Sequence, residues 1–323
     1  MNKLFIIFVI LLYILIYFVR FNQGGFKFDV ELFGDTRSWM DQKITSFLPS
    51  PQAELLSGIL LGQNKDLPGQ LRLALRDTST LHIVVASGQN LTMVAGFFLL
   101  LAGFVKRKVA MILGFTAIIF YILLTGAQIP ILRAGLMVGF AFLANLIGRE
   151  KDSIWVLLIT AGIMLIINPG WLFDLSFQLS ILATTGVVIV APIFLKKLQN
   201  LPGFISSDLA VSLGAQIMVF PVIASNFHQL SLVAIPANLL VLWTIPFIMI
   251  IGAFFLAFFW IPILGWFVAQ VLNILLTYFI YVVQFFSSLP FAWEYVGDFH
   301  WIVWIGYYLI VVAILKFIYE TNP

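Results

Sequence analysis

The chain has 323 residues, 62% of them hydrophobic and only 10% charged, and 17 Lys+Arg against 14 Asp+Glu leave a net charge of +3. So little polar surface could not cover a soluble domain of this size, which excludes a water-soluble enzyme or binding module. With no cysteine in the sequence, disulfides, thiolate metal sites and cysteine nucleophiles are excluded as well. The expected fold is an all-α polytopic membrane protein of about ten transmembrane helices, some Pro-broken or re-entrant.

Residues 4–19 are an unbroken apolar run between Lys3 and Arg20, and predict a first transmembrane helix over residues 1–20. A cleaved signal peptide is the other reading of such a run, but no small-residue cleavage site follows it. Residues 21–80 are the polar segment, expected to be extracytoplasmic and interfacial. Two helices are predicted there, over Arg37–Leu48 and Ala53–Leu61, flanking the Pro49-Ser50-Pro51 break. A third begins at Pro68 and places Leu71, Leu75 and Thr78 on one face, with Arg72 and Arg76 beside it. Headgroup anchoring is the plain reading of those two arginines; a basic outer mouth to a solute path is the functional one.

Nine further spans are predicted, near 81–105, 109–126, 129–148, 153–167, 171–195, 204–224, 231–258, 262–289 and 300–318. Pro221, Pro236 and Pro246 predict discontinuous helices around 204–258, backbone that survives at membrane depth only when buried or lining a cavity. Positive charge falls on alternate loops: Lys106-Arg107-Lys108, Arg149 with Lys151, Lys196-Lys197 and Lys316. The positive-inside rule then puts both termini in the cytoplasm and residues 21–80 outside, in a multi-pass protein of the cytoplasmic (inner) membrane.

Three polar groupings interrupt the apolar helices. In FDLSFQLSILATT (Phe173–Thr185), Asp174 and Gln178 share one helical face, while Ser176, Ser180 and Thr184 step up a neighbouring one. Such groups are costly in hydrocarbon unless they face a bundle interior or water. Arg133, the only Lys or Arg inside a span after residue 81, is expected at a depth similar to Asp174 and could pair with it, either to hold two helices together or to line a path. Gly135 and Gly139 form a GxxxG face for close helix contact. Ser87, Gly88, Gln89 and Asn90, with Thr92 one turn on, are expected to break a helix and to turn free N–H groups towards an anion, or else to make a polar packing contact. A looser group contains Gln216, Asn226, His228, Gln229 and Asn238.

Several activities lack their residues. No Walker-type GxxxxGK is present, so the chain does not hydrolyse ATP by that motif. The three histidines, His82, His228 and His300, lack the close spacing of a metal hydrolase. No catalytic residue, metal site or cofactor is therefore expected. A membrane-embedded enzyme using Asp174, or a Ser87 nucleophile with His82 or His228 as base, is the weakest reading, because His82 is near the outer end and nothing orients it.

Four stretches in order resemble the competence domain of ComEC-type DNA-uptake channels. They are RDTSTLHIVVASGQNLTMVAG (76–96), TGAQIPILRAGLM (125–137), NPGWLFDLSFQLSILATTG (168–186) and GAQIMVFPVIASNFHQLSLVAIPANLLVLWTIP (214–246). The departure is at Asn90, which stands where that family has a histidine. The resemblance implies that residues 81–323 form a competence-type channel domain passing single-stranded DNA into the cytoplasm during natural transformation. The OB-like region would be reduced or absent and the metallo-β-lactamase-like domain missing, as in a stand-alone module. Arg133, Asp174, Gln178, Ser87, Gln89, Asn90, Gln216 and Asn238 are the expected path residues, with Arg72 and Arg76 at the outer mouth. Expected partners are single-stranded DNA, the lipid bilayer, a DNA receptor, a separate nuclease and a cytoplasmic motor; a homo-oligomer stays open. The competing reading is a transporter of a small polar solute or lipid headgroup.

Overall fold

A computed structural model describes residues 3–23, 32–63, 67–85, 87–100, 106–146 and 152–321. Arg149 and Lys151, on which the topology argument partly rests, lie outside the described residues, as do the ends of the spans expected at 81–105 and 129–148. The fold is all-α, with one two-stranded ribbon, as expected of a polytopic membrane protein. Among the described residues, four helices are long and apolar enough to cross a bilayer: Leu175–Lys197, Ile205–Phe227, Pro262–Ser287 and Trp301–Ile318. Ala234–Leu242 and Thr244–Phe258, bent at the break between them, make a fifth if counted as one span. The stretches expected at 109–126, 129–148 and 153–167 contain shorter apolar helices, Val109–Leu124, Ile129–Ala144 and Ser153–Ile167.

The chain divides into two compact units. The first contains residues 1–67, 82–181 and 246–276. It contains α1 (Lys3–Gln23), α2 (Gly34–Phe47), α3 (Gln52–Leu61), α6 (Gly88–Leu100), α7 (Arg107–Leu124), α8 (Ile129–Leu146), α9 (Ser153–Ile167) and most of α14 (Thr244–Phe258). The α3 helix forms where the sequence predicts one. Its residues Leu55–Leu61 are all buried, so it is part of the core of this unit. Its composition, QAELLSGILL, is apolar on every side, as a helix enclosed by others must be. The carbonyls at its C-terminal end, which an α-helix leaves without partners, are taken up by side chains. Asn90 Nδ2 and Tyr121 OH donate to Ile59 O at 3.0 and 3.3 Å, and Gln128 Nε2 donates to Gly62 O at 3.0 Å.

The second unit contains residues 68–81, 182–245 and 277–323. It holds α4 (Gly69–Asp77), α11 (Ala191–Lys197), α12 (Gly203–Phe227), α13 (Ala234–Leu242) and α16 (Trp301–Thr321). Strand β1 (Gln229–Ser231) pairs antiparallel with β2 (Trp293–Tyr295), Gln229 opposite Tyr295. As the pattern predicts, α4 buries Leu71, Ala74 and Leu75 and exposes Arg72 and Arg76. A π turn over Gly186–Val190 precedes α11, and there the backbone touches α12: a Cβ on Gly214 would meet Gly186 O at 2.7 Å.

The expected break at Pro221 does not occur, and α12 runs through it for 25 residues. Proline removes the N–H that would satisfy the carbonyl four residues earlier, Ile217 O. Tyr307 OH on α16 donates to that carbonyl at 2.9 Å, and Tyr308 OH donates to Met218 O at 2.8 Å. A neighbouring helix thus supplies the missing donor, and the helix continues. Pro236 and Pro246, by contrast, fall in the first turns of α13 and α14, where no interior bond is lost.

Candidate functional site

The site lies in the first unit and is built on three short stretches. The first is the start of α6. The preceding helix α5 (Leu81–Val84) ends before it, so the expected interruption is present. Ser87 Oγ accepts from Asn90 N at 3.4 Å and so caps α6. Gly88 turns towards α8: a Cβ there would meet Arg133 Nη2 at 2.9 Å and Ala134 Cβ at 3.0 Å. Only glycine lets the guanidinium come this close to the helix end. Gln89 is exposed, and Asn90, 1% exposed, points the other way to bind α3.

The second stretch is the first turns of α8, which begins at Ile129 with Pro130 in its first turn. Arg133, one turn in, donates from Nε to Ser180 Oγ at 2.6 Å and from Nη1 to Met137 Sδ at 3.4 Å. Gly135, on the same helix, packs against Ile122 of α7, as the small-residue face predicts.

The third stretch begins with a 3-10 turn over Pro169–Phe173 and continues as α10 (Leu175–Thr185). Here the expected geometry is corrected. Asp174 is not inside a helix but is the N-cap of α10: its Oδ1 accepts from Ser176 N at 2.8 Å and Phe177 N at 3.1 Å. Aspartate is among the best residues at that position, and the carboxylate satisfies two N–H groups that the helix end leaves open. Gln178 Nε2 reaches back to Leu172 O at 3.0 Å. Asp174 and Gln178 therefore brace the start of α10, and Ser180, two residues further, is the residue that meets Arg133.

No Arg133–Asp174 ion pair forms. Arg76 instead pairs with Asp77 at 3.5 Å, and His228 Nδ1 lies 3.1 Å from Asp298, a contact that is ionic only when the imidazole is protonated. Arg133 thus carries its charge between neutral partners, next to the positive end of the α6 dipole. It borders a cavity of about 250 Å³ lined by Gly88, Thr92, Arg133, Met137, Val138 and Val156, among others. Arg133 is the charged group of a lining that otherwise carries two hydroxyls, Thr92 and Ser153, and apolar side chains.

Gly88 and Thr92 belong to the break that the sequence places towards an anion, but the sequence did not point to Met137 as a lining residue or to Ser180 as the partner of Arg133. Met137 had a readable signal, its i+4 spacing from Arg133. The Ser180 contact joins residues 47 apart and had none.

The remaining expected residues belong to the second unit. Arg72 and Arg76 are exposed on α4, and Gln229 Nε2 donates to Asp77 Oδ1 at 2.9 Å, tying α4 to β1. Gln216 lies on α12. Asn238, 8% exposed on α13, has an Oδ1 without a hydrogen-bond partner. His228 caps α12 with φ 51°, its Nδ1 at ion-pair distance from Asp298. Among the described residues no group of three His, Asp or Glu side chains could hold a metal ion.

Comparison with known proteins bears on this arrangement. The model of the family described as "Competence protein" matches residues 59–320. The chain is 27% identical over 210 residues to ComE operon protein 3 of Bacillus subtilis, a match covering 64% of this chain and 26% of that protein. It is 26% identical over 221 residues to an uncharacterized protein, YcaI, of Escherichia coli, covering 63% and 29%. An uncharacterized Aquifex aeolicus protein is 29% identical over 208 residues, covering 62% and 48%. The matched part is thus between about a quarter and a half of each relative's length. No solved structure matches.

Proposed function

The chain belongs to the Competence protein family, and on that premise we propose that it is an inner-membrane channel that passes single-stranded DNA into the cytoplasm during natural transformation. The observation that carries the reading is Arg133: a guanidinium with no carboxylate partner among the described residues, set beside a helix N-terminus on the wall of a cavity. A strand crossing a membrane needs hydrogen-bond donors and positive charge for its phosphates, and both converge here. Thr92 and Ser180 add hydroxyls, while Asp174 and Gln178 hold α10 so that Ser180 stays in place. Arg72 and Arg76, exposed on α4, would attract the polyanion at the outer mouth in a salt-dependent way. Gln216 and Asn238 would contribute further hydrogen bonds along the path. The cavity is smaller than ordinary ligand clefts of about 300–1,000 Å³, so passage of a strand requires the helices around it to part.

The mostly apolar lining favours a second reading, a carrier of a small polar solute or lipid headgroup. Transformation frequency and labelled-DNA uptake in a deletion strain separate the two, with wild type and Arg133→Ala supplied in trans and membrane expression measured alongside. The channel reading expects deletion to abolish uptake, wild type to restore it and Arg133→Ala not to. Normal uptake in the deletion strain overturns it in favour of the carrier. Charge reversal at Arg72 and Arg76 should impair DNA entry and leave a headgroup carrier intact.

A further inference from the structure

We infer that the cavity beside α8 is a binding site for an anionic phospholipid, with the phosphate on Arg133 and an acyl chain along the apolar wall towards Ala141. The inference rests on the same phosphate contact as the channel reading and adds the occupant of that contact when no strand is present.

Charge is the first argument. Among the described residues Arg133 bonds to the neutral Ser180 and Met137, and it faces the start of α6, whose dipole adds positive potential. The acid closest in sequence to the lining is Asp152, and its carboxylate is engaged by Ile154 N and Trp155 N at the start of α9. Asp174 is likewise engaged by α10. Among the described residues no carboxylate meets Arg133, and an anion from outside the chain would complete the site.

Shape selects which anion. The polar groups, Arg133, Thr92 and the Gly88 end of α6, border one part of the cavity. From there the lining continues with Ala134, Met137, Val138 and Ala141, about 12 Å along α8 at 1.5 Å per residue. Inorganic phosphate would fill only the polar part and leave the apolar wall bare. A phospholipid fills both. Depth agrees: Arg133 is one turn from the start of α8, which follows the turn at Thr125–Gln128, so it lies near the end of an apolar helix, where headgroup phosphates are found.

The test uses the full chain in nanodiscs containing equal parts of phosphatidylglycerol and phosphatidylcholine, then detergent extraction and native mass spectrometry of the lipid retained. Phosphatidylglycerol should be retained over phosphatidylcholine. Arg133→Gln should lower that retention roughly tenfold, the worth of one charge-assisted contact. Val138→Trp, which fills the apolar wall and leaves Arg133 in place, should lower it as well. Equal retention of the two lipids, or undiminished phosphatidylglycerol in both variants, overturns the inference. So does thermal stabilisation of the delipidated protein by inorganic phosphate that phosphatidylglycerol does not exceed, since the site would then take a free anion. Loss of lipid selectivity while Arg133→Ala still lowers DNA uptake removes the lipid and leaves the channel. Selective retention in a protein whose deletion strain transforms normally does the reverse.

Discussion

Helices α8 and α4 each carry arginine next to apolar residues, and they settle its charge in opposite ways. On α4, Arg76 lies 3.5 Å from Asp77 with 47% of its side chain in solvent, so water and a neighbouring carboxylate both serve it. On α8, Arg133 is half-buried, with a serine hydroxyl and a thioether as its partners. The first arrangement is tolerant, because an exposed pair contributes only about 0–1 kcal/mol and solvent replaces whatever is lost. The second depends on its surroundings, because a desolvated cation without a counter-ion is stable only while its few contacts hold. That dependence is what sets the arginine of α8 apart from those on the solvated surface of α4.

The comparison can be broken most forcefully at Arg133. Arg133→Ala should lower transformation about 10–100-fold at unchanged membrane expression, as expected for loss of a contact to a charged group worth about 1.5–3 kcal/mol. A variant that transforms normally would show that α8 carries nothing α4 does not. Next in size is Gly88→Val. Its Cβ would meet the guanidinium at 2.9 Å, and overpacking of this kind costs about 1–3 kcal/mol. A clear drop in the thermal midpoint of the purified protein is expected, together with reduced uptake, while Gly69→Val, whose Cβ would meet nothing within 4 Å, should serve as the silent control on α4.

Asn90→Ala comes third. It removes the Nδ2 donor to Ile59 O and leaves a buried carbonyl with Tyr121 OH as its remaining side-chain donor, a loss of about 1–3 kcal/mol at most. Denaturation of the purified protein should show it; an unchanged midpoint would mean α3 is held by packing alone. Asp174→Ala should cost about 1 kcal/mol through the lost cap, and Asp174→Asn, which still caps, much less. If Asn fails as badly as Ala, the negative charge itself matters and the capping account is wrong. The smallest effect belongs to Arg76→Ala, within about 0.5 kcal/mol of wild type in stability. Its transformation defect should deepen as salt is lowered if α4 steers a polyanion, and be absent at all salt concentrations if it does not.

Much of this was legible in the sequence because it depends on local chemistry. The apolar composition, the amphipathic α4 with Leu71 and Leu75 inside, and the helix break at Ser87-Gly88 all follow from neighbours within a turn or two. The tyrosines that rescue Pro221 are 86 and 87 residues further along the chain, so no local pattern could show that α12 runs straight through. Asp174 was misplaced for a related reason. Spacing four residues from Gln178 suggested a helical face, but the 3-10 turn at Pro169–Phe173 moved the helix start to Leu175 and made the aspartate a cap.

The sequence by itself determined that this is a helical membrane protein, which segments are apolar, and where charge is scarce, because burial in lipid and backbone hydrogen bonding act on composition and short-range order. Which polar groups meet was decided only by the tertiary structure. Arg133 takes Ser180 and not Asp174, and α3 goes to the core of its unit although it lies in the polar part of the chain. Both outcomes depend on packing between residues far apart in sequence: the space left by Gly88 and the carbonyls at the end of α3 acquire meaning only once another helix is beside them.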